Sequence, residues 1–197
     1  MEGAAWLISA AGFAVAMSAT PGPNNAMIAA SGANFGLRRS VPHMVGISLG
    51  FPAMLVIVAL GLAAPLATLP GLQWVLRWAG AAWMLWIAWQ IATAAPEGED
   101  HVSGARPMTA LAAALFQWIN PKAWVIAGGA IATYTDTLAQ ALLLAAIFVP
   151  AAALSVLLWA LIGRGAARAL GTPERLRWFN RIMATLLVLS LWPVLAS

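Results

Sequence analysis

Six long apolar runs dominate this 197-residue sequence and restrict what it can fold into. They lie at residues 4–33, 41–64, 72–93, 108–133, 138–162 and 176–195. A helix that spans a bilayer needs about 20 predominantly apolar residues, so each run is long enough to cross one. Only 8% of the residues are charged, against roughly 25% in a soluble domain. The sequence therefore predicts an all-α integral membrane protein with six transmembrane helices.

Residue types that would support other functions are scarce. The chain contains no cysteine, which excludes disulfides, thiolate metal sites and thiol catalysis. Its two histidines, His43 and His101, lie far apart in sequence. The net charge is +4, but the basic residues lie between apolar runs and form no stripe that would follow a nucleic acid. We expect membrane lipid around the chain, and no cofactor, metal, nucleic acid or catalytic residue.

The basic loops predict the orientation in the membrane. Lysine and arginine are enriched in cytoplasmic loops. The loops after runs one, three and five carry them, and these loops fall on one side of a six-span arrangement. We therefore expect a multi-pass protein of the bacterial inner (plasma) membrane, with both termini on the noncytoplasmic side. The first run lacks the preceding basic segment of a signal peptide and is expected to stay as a membrane helix.

The six runs divide into two halves of similar design. Residues 1–93 form a first three-helix repeat, 94–107 a cytoplasmic linker and 108–197 a second three-helix repeat. Each half opens with a run that is broken by proline near its middle. Three spans per half force the halves into opposite orientations, which is the 3+3 inverted repeat common in secondary transporters.

The first break is a cluster of helix-disrupting residues. It reads Thr20, Pro21, Gly22, Pro23, Asn24 and Asn25. Proline removes a backbone donor and clashes with the preceding turn, so this cluster should unwind the helix in mid-membrane. Because asparagine is a favoured N-cap, we expect the second half-helix to begin near Asn24 or Asn25. Its exposed N–H groups and positive dipole end would attract an anion.

The second break, Asn120-Pro121-Lys122, also interrupts an apolar run with proline and contains a positively charged residue. A lysine at the centre of a membrane helix costs roughly 2.5–3.5 kcal/mol on insertion scales. The apolar runs contain no central carboxylate to pair with it. Its partners could be helix-end carbonyls, asparagine side chains or the carboxylate of a substrate, and we favour the last in the transport-competent state. Alternatively, Lys122 reaches the membrane interface.

Together the two breaks predict a substrate site at the membrane midplane. Half-helix N-termini and Lys122 would hold a carboxylate, while unwound carbonyls near Thr20 and Pro21 would hold an ammonium. Gln117 either lines this cavity or makes an interhelical contact. Trp118 and Trp124 flank the second break and could border the substrate.

Four segments carry a resemblance to known proteins. They are Thr20–Asn25, Ser31–Arg39, Gly46–Gly50 and Phe116–Trp124. Together they resemble the lysine exporter (LysE/RhtB) family of bacterial amino-acid exporters. The resemblance implies export of amino acids or close derivatives, driven by an ion or proton gradient. Within the family, the stretch with Ser31, Phe35, Gly36 and Arg38 is most similar to cysteine and O-acetylserine exporters.

The leading hypothesis is thus a secondary active exporter of small amino acids, with a proton as the expected coupling ion. An uncoupled channel or facilitator with the same cavity is the alternative. A membrane-embedded enzyme is much less favoured, because the runs offer no nucleophile with a base. The sequence leaves a homo-oligomer open and identifies neither the proton-carrying residue nor the amino acid.

Overall fold

The computed structural model describes residues 3–61, 69–94 and 106–192. Within these ranges the chain is all-helical, as the sequence predicts. The α-helices are α1 (Gly3–Ala19), α2 (Pro23–Ala59), α3 (Pro70–Ala92), α4 (Ala110–Phe116), α5 (Pro121–Tyr134), α6 (Leu138–Leu170) and α7 (Pro173–Leu189). One turn of 3-10 helix, Gln117–Ile119, joins α4 to the second break. Most of the predicted linker, and the ends of the second and sixth runs, lie outside the described residues.

Two of these helices, α2 and α6, are long and apolar enough to cross a membrane. Helix α2 contains 37 residues in two parts that meet at Gly36, and α6 contains 33. Helix α1 and the segment 110–119 are apolar but shorter, because each belongs to a run that is interrupted. The number of spans and their inverted arrangement remain predictions.

Local sequence signals fix where the helices begin. Proline occupies the first position of α2, α3, α5 and α7, where its missing N–H costs nothing. Side-chain oxygens of Thr109, Asn120, Thr137 and Thr172 cap the starts of α4, α5, α6 and α7. Gly171 ends α6 in the left-handed conformation (φ 64°).

Helix α2 folds back on itself at Gly36, where the sequence predicted a short loop between two spans. Gly36 has φ 72° and ψ 171°, a conformation that is essentially restricted to glycine. The hydroxyls of Ser31 and Ser40 lie 2.8 Å apart, although nine residues of straight helix would separate them by about 13 Å. A single glycine therefore reverses the chain, and the helix resumes before Arg38 and Arg39.

Glycines also allow close packing of helix backbones. A Cβ on Gly32 would collide with the carbonyl group of Ala160, and one on Gly163 with that of Ala29. These reciprocal contacts fix the crossing of α2 and α6. On the other face of α2, a Cβ on Gly50 would lie 2.5 Å from the Cα of Ala114 in α4. Small residues at helix crossings are typical of membrane proteins.

Candidate functional site

The first break leaves three residues, Thr20 to Gly22, outside the helices, because α1 ends at Ala19 and α2 begins at Pro23. Carbonyl groups at a helix end have no partner within the helix. Side chains from α2 and α6 satisfy three of them here. The pairs are Ser18 O with Asn25 Nδ2 (3.0 Å) and Ser155 Oγ (2.7 Å), Ala19 O with Trp159 Nε1 (3.3 Å), and Thr20 O with Asn25 Nδ2 (2.9 Å).

The lysine of the second break reaches into the first. The Nζ atom of Lys122 donates to the carbonyl oxygens of Thr20 and Pro21, the latter at 3.4 Å. The sequence predicts that these carbonyls hold the ammonium of a substrate. In this structure they accept hydrogen bonds from the ammonium of Lys122. The side chain is half-buried. It has no carboxylate partner among residues 3–61, 69–94 and 106–192.

Gly22 makes room for this lysine. A Cβ on Gly22 would lie 2.6 Å from Cδ and 3.1 Å from Nζ of Lys122. Its φ of 179° is extended and open to any residue, so close approach is what requires the glycine.

Gly22 is also the N-cap of α2, where the sequence predicted Asn24 or Asn25. The helix begins earlier because Pro23 suits the first helical position. Asn24 and Asn25 therefore stand within the first turn. Their side chains bond outward, Asn25 to the end of α1 and Asn24 across to the second break.

The second break is capped locally and joined to the first by a pair of amides. Asn120 accepts a hydrogen bond from the backbone N–H of Lys122 (3.1 Å). Asn24 Nδ2 donates to Gln117 Oε1 (2.9 Å), and Gln117 Nε2 donates back to Asn24 Oδ1 (3.2 Å). Gln117, which is fully buried, thus makes an interhelical contact. It also lines the cavity described next, so both roles considered for it apply.

A cavity of about 50 Å³ lies between the two breaks, and we call it the break cavity. Six of the predicted site residues line it: Gly22, Asn24, Asn25, Gln117, Asn120 and Lys122. Met17, Phe51 and Phe148 contribute apolar surface. Its volume suits a few water molecules, whereas ligand pockets usually measure about 300–1,000 Å³. The site is therefore closed in this structure.

The other predicted residues lie beside the cavity. Thr20 and Pro21 contribute their carbonyl oxygens, while Pro23 and Pro121 start helices. Trp118 and Trp124 pack edge-to-face at 5.9 Å against the apolar core, and they do not line the cavity.

Sequence reasoning missed Ser18, Ser155 and Trp159 as parts of this site. Ser18 acts through its backbone, which no sequence pattern identifies. Ser155 and Trp159 lie one turn apart in the long apolar run of α6. Their only signal is that they are hydrogen-bonding residues within an uncharged run, and only the fold shows that both face the end of α1.

Within the described ranges the chain is helical and apolar, and a lysine beside one proline-containing break binds the carbonyls of the other. These are features found in membrane transport proteins. The chain belongs to the LysE type translocator family, whose model matches residues 15–190. This confirms the family resemblance that the sequence predicts.

Several curated proteins are similar to this chain. It is 37% identical over 124 residues to the cysteine/O-acetylserine efflux proteins of Escherichia coli strain K12 and Shigella flexneri. It is 36% identical to the protein of that description from Escherichia coli O1:K1 / APEC. The aligned stretch spans 62% of this chain and 62% of the length of each relative. No solved structure matches the chain.

Proposed function

We propose that this protein is a secondary active exporter of amino acids or close derivatives in the bacterial plasma membrane, and that its substrate carboxylate binds Lys122. The observation that carries the proposal is the state of Lys122. Its ammonium is inserted among neutral backbone carbonyls and has no carboxylate partner within the described ranges. Family membership and the efflux relatives support transport as the activity.

A substrate carboxylate is a stronger partner for this ammonium than the carbonyls are. The bonds from Lys122 to the carbonyls are charge-assisted on the donor side only, whereas a carboxylate adds a direct attraction between two opposite charges. No side chain caps the N-terminus of α2 beside the lysine, so its backbone dipole also favours an anion there. Once Lys122 turns to a carboxylate, the carbonyls of Thr20 and Pro21 are free to accept from the substrate ammonium.

Transport requires the break cavity to open, because about 50 Å³ does not hold an amino acid. We propose that the two breaks move apart as two inverted three-span halves rock against each other. The first half would comprise α1, α2 and α3, with Gly36 dividing α2 into parts of two spans. The second would comprise α4 to α7. Both termini would lie outside the cytoplasm, since the basic loops gather at the opposite end.

The efflux relatives suggest the substrate class. We propose cysteine, O-acetylserine and similarly small polar amino acids, since the relatives are described as cysteine/O-acetylserine efflux proteins. We also propose the proton as the coupling ion and a homo-oligomer as the working state.

Uphill transport in proteoliposomes tests this function. With an imposed proton gradient, O-acetyl-L-serine should accumulate above its external concentration. Lys122→Gln should abolish accumulation. Gly128→Ala is the matched control in the same helix, because a Cβ there meets nothing within 4 Å. Flux that only dissipates a gradient would indicate a facilitator, and wild-type accumulation by Lys122→Gln would refute the role of the lysine.

A further inference from the structure

A second cavity, of about 300 Å³, lies between α2, α3 and the start of α4. It shares no lining residue with the break cavity. Its walls combine the indoles of Trp83 and Trp86 with Met27 and Met108. His43 and Arg106 also line it, and we call it the His43 cavity.

The imidazole of His43 is the exception among the buried polar groups of this region. Ser31 pairs with Ser40 (2.8 Å), and Asn34 exchanges two hydrogen bonds of 2.8 Å with Asn180. His43 is only 2% exposed, yet neither Nδ1 nor Nε2 has a hydrogen-bond partner in the described chain. Buried polar atoms in native proteins are nearly always paired, and an exception needs an explanation such as a water, an ion or a functional role.

The charge of the lining indicates what that ligand carries. Arg106 is the one charged residue among the described lining residues. Phe35, also in the wall, lies beneath the guanidinium of Arg39 at 5.7 Å. A guanidinium favours an anionic group beside it, because it donates charge-assisted hydrogen bonds to carboxylates. An anionic group is therefore favoured at the Arg106 side of this cavity.

We propose that the His43 cavity binds the amino-acid substrate in the conformation seen here, before the break cavity opens. The α-carboxylate binds Arg106. The faces of Trp83 and Trp86 accept the substrate's ammonium. The imidazole of His43, whose two nitrogens are inaccessible here, rotates toward the cavity to bond the polar groups of the amino acid, to which it offers a donor and an acceptor. This inference rests on the proposed function and assigns that function a second site.

The volumes of the two cavities agree with this order of events. About 300 Å³ falls within the range of small-molecule sites, while about 50 Å³ does not. The His43 cavity also lies at the end of the molecule that carries Arg38, Arg39 and Arg106. By the positive-inside rule this is the cytoplasmic end, from which an exporter takes its substrate.

The absence of cysteine makes this site testable by labelling. A single cysteine in the Ala112→Cys variant would report on the His43 cavity, which Ala112 lines. The full chain in nanodiscs is treated with a methanethiosulfonate reagent at increasing concentrations of O-acetyl-L-serine. We expect this probe to slow labelling severalfold. A Gly128→Cys reporter, outside both cavities, should show no protection.

Substitutions then assign the protection to named groups. His43→Leu or Arg106→Gln should raise the half-protecting concentration at least tenfold, while Gly128→Ala, outside both cavities, should leave it unchanged. His43→Leu should melt no lower than the wild type, because it removes two unpaired buried nitrogens. His43→Gln, which restores a donor and an acceptor, should recover part of the protection and serves as the second variant if His43→Leu fails to fold.

The outcomes separate this inference from the proposed function. Unprotected Ala112→Cys, or protection that is indifferent to both His43 and Arg106 substitutions, would overturn the site even if proteoliposomes transport normally. Protection in a protein that moves no substrate would support the site and contradict the exporter.

Discussion

The break cavity and the His43 cavity treat their polar groups in opposite ways. In the break cavity the carbonyls at the end of α1 are satisfied by donors from the chain itself, including the only lysine. In the His43 cavity the imidazole is unpaired and the volume is about 300 Å³ against about 50 Å³. One cavity is thus satisfied by the chain's own side chains, whereas the other retains both space and an unpaired imidazole.

The largest expected effect is the loss of export when Lys122 is removed, while ligand protection in the His43 cavity stays unchanged. Removing one partner of a buried charge pair costs about 2–5 kcal/mol, so Lys122→Ala should lower export roughly a hundredfold. Protection of Ala112→Cys by O-acetyl-L-serine should be unaffected. Both are measured on the same reconstituted protein. If protection fell together with export, the two cavities would not be independent.

The next largest effect is expected when the two hydrogen bonds between the side chains of Asn24 and Gln117 are removed. Asn24→Ala leaves Oε1 of the fully buried Gln117 without its donor, while Nε2 keeps its bond to the Ala113 carbonyl, and the unpaired oxygen costs about 1–3 kcal/mol. Thermal unfolding followed by tryptophan fluorescence should show the loss, and export should fail because the first break is no longer tied to the second. The double variant with Gln117→Leu should recover much of the stability. Equal stability of Asn24→Ala and the wild type would contradict these two hydrogen bonds.

The reversal of the chain at Gly36 brings His43 beside the His43 cavity. A substitution that disfavours this reversal should lower the melting temperature. Gly36→Ala forces a Cβ into a glycine-only conformation, which costs about 1–3 kcal/mol. No neighbouring atom lies within 4 Å of the added Cβ, so the expected loss of stability comes from the backbone conformation alone. Gly165→Ala, a helical glycine with equally open surroundings, should be neutral or slightly stabilising. Equal melting temperatures for the two variants would be inconsistent with the described reversal.

The smallest predicted effect concerns the fit of the lysine. Gly22→Ala places a Cβ 2.6 Å from Lys122 Cδ, so the side chain must shift and we expect export to fall by roughly tenfold, about 1.4 kcal/mol. Gly12→Ala, with nothing within 4 Å, provides the comparison in α1. Wild-type export by Gly22→Ala would show that the carbonyl-bound position of Lys122 is dispensable.

The residues of the break cavity carry local sequence signals and those of the His43 cavity do not, for a physical reason. Proline, glycine and a mid-span lysine are local signals, since each conflicts with a regular membrane helix wherever it occurs. The sequence alone therefore groups four residues of this cavity: Asn24, Asn25, Asn120 and Lys122. The bonds they make could not be predicted, because Ser155 and the carbonyl of Ser18 carry no such conflict.

The His43 cavity had no comparable signal. His43 follows Pro42 at the start of a run, a position that does not indicate burial, and yet it is buried. The reversal at Gly36 returns the chain alongside its own preceding turns, and α4 packs against Gly46. The walls of this cavity come from three helices that are distant in sequence, so only the fold could assemble them.

The central claim is that Lys122 leaves the backbone carbonyls to hold a substrate carboxylate. Lys122 is the only lysine in the chain, so ¹⁵N-lysine labelling gives one side-chain signal in solid-state NMR. With O-acetyl-L-serine labelled with ¹³C at the carboxylate, we predict a dipolar coupling that places this carbon within about 4 Å of Nζ. The coupling of Nζ to ¹³C-labelled carbonyls of Thr20 and Pro21 should weaken in parallel. Saturating substrate that leaves Nζ coupled only to those carbonyls would contradict the account.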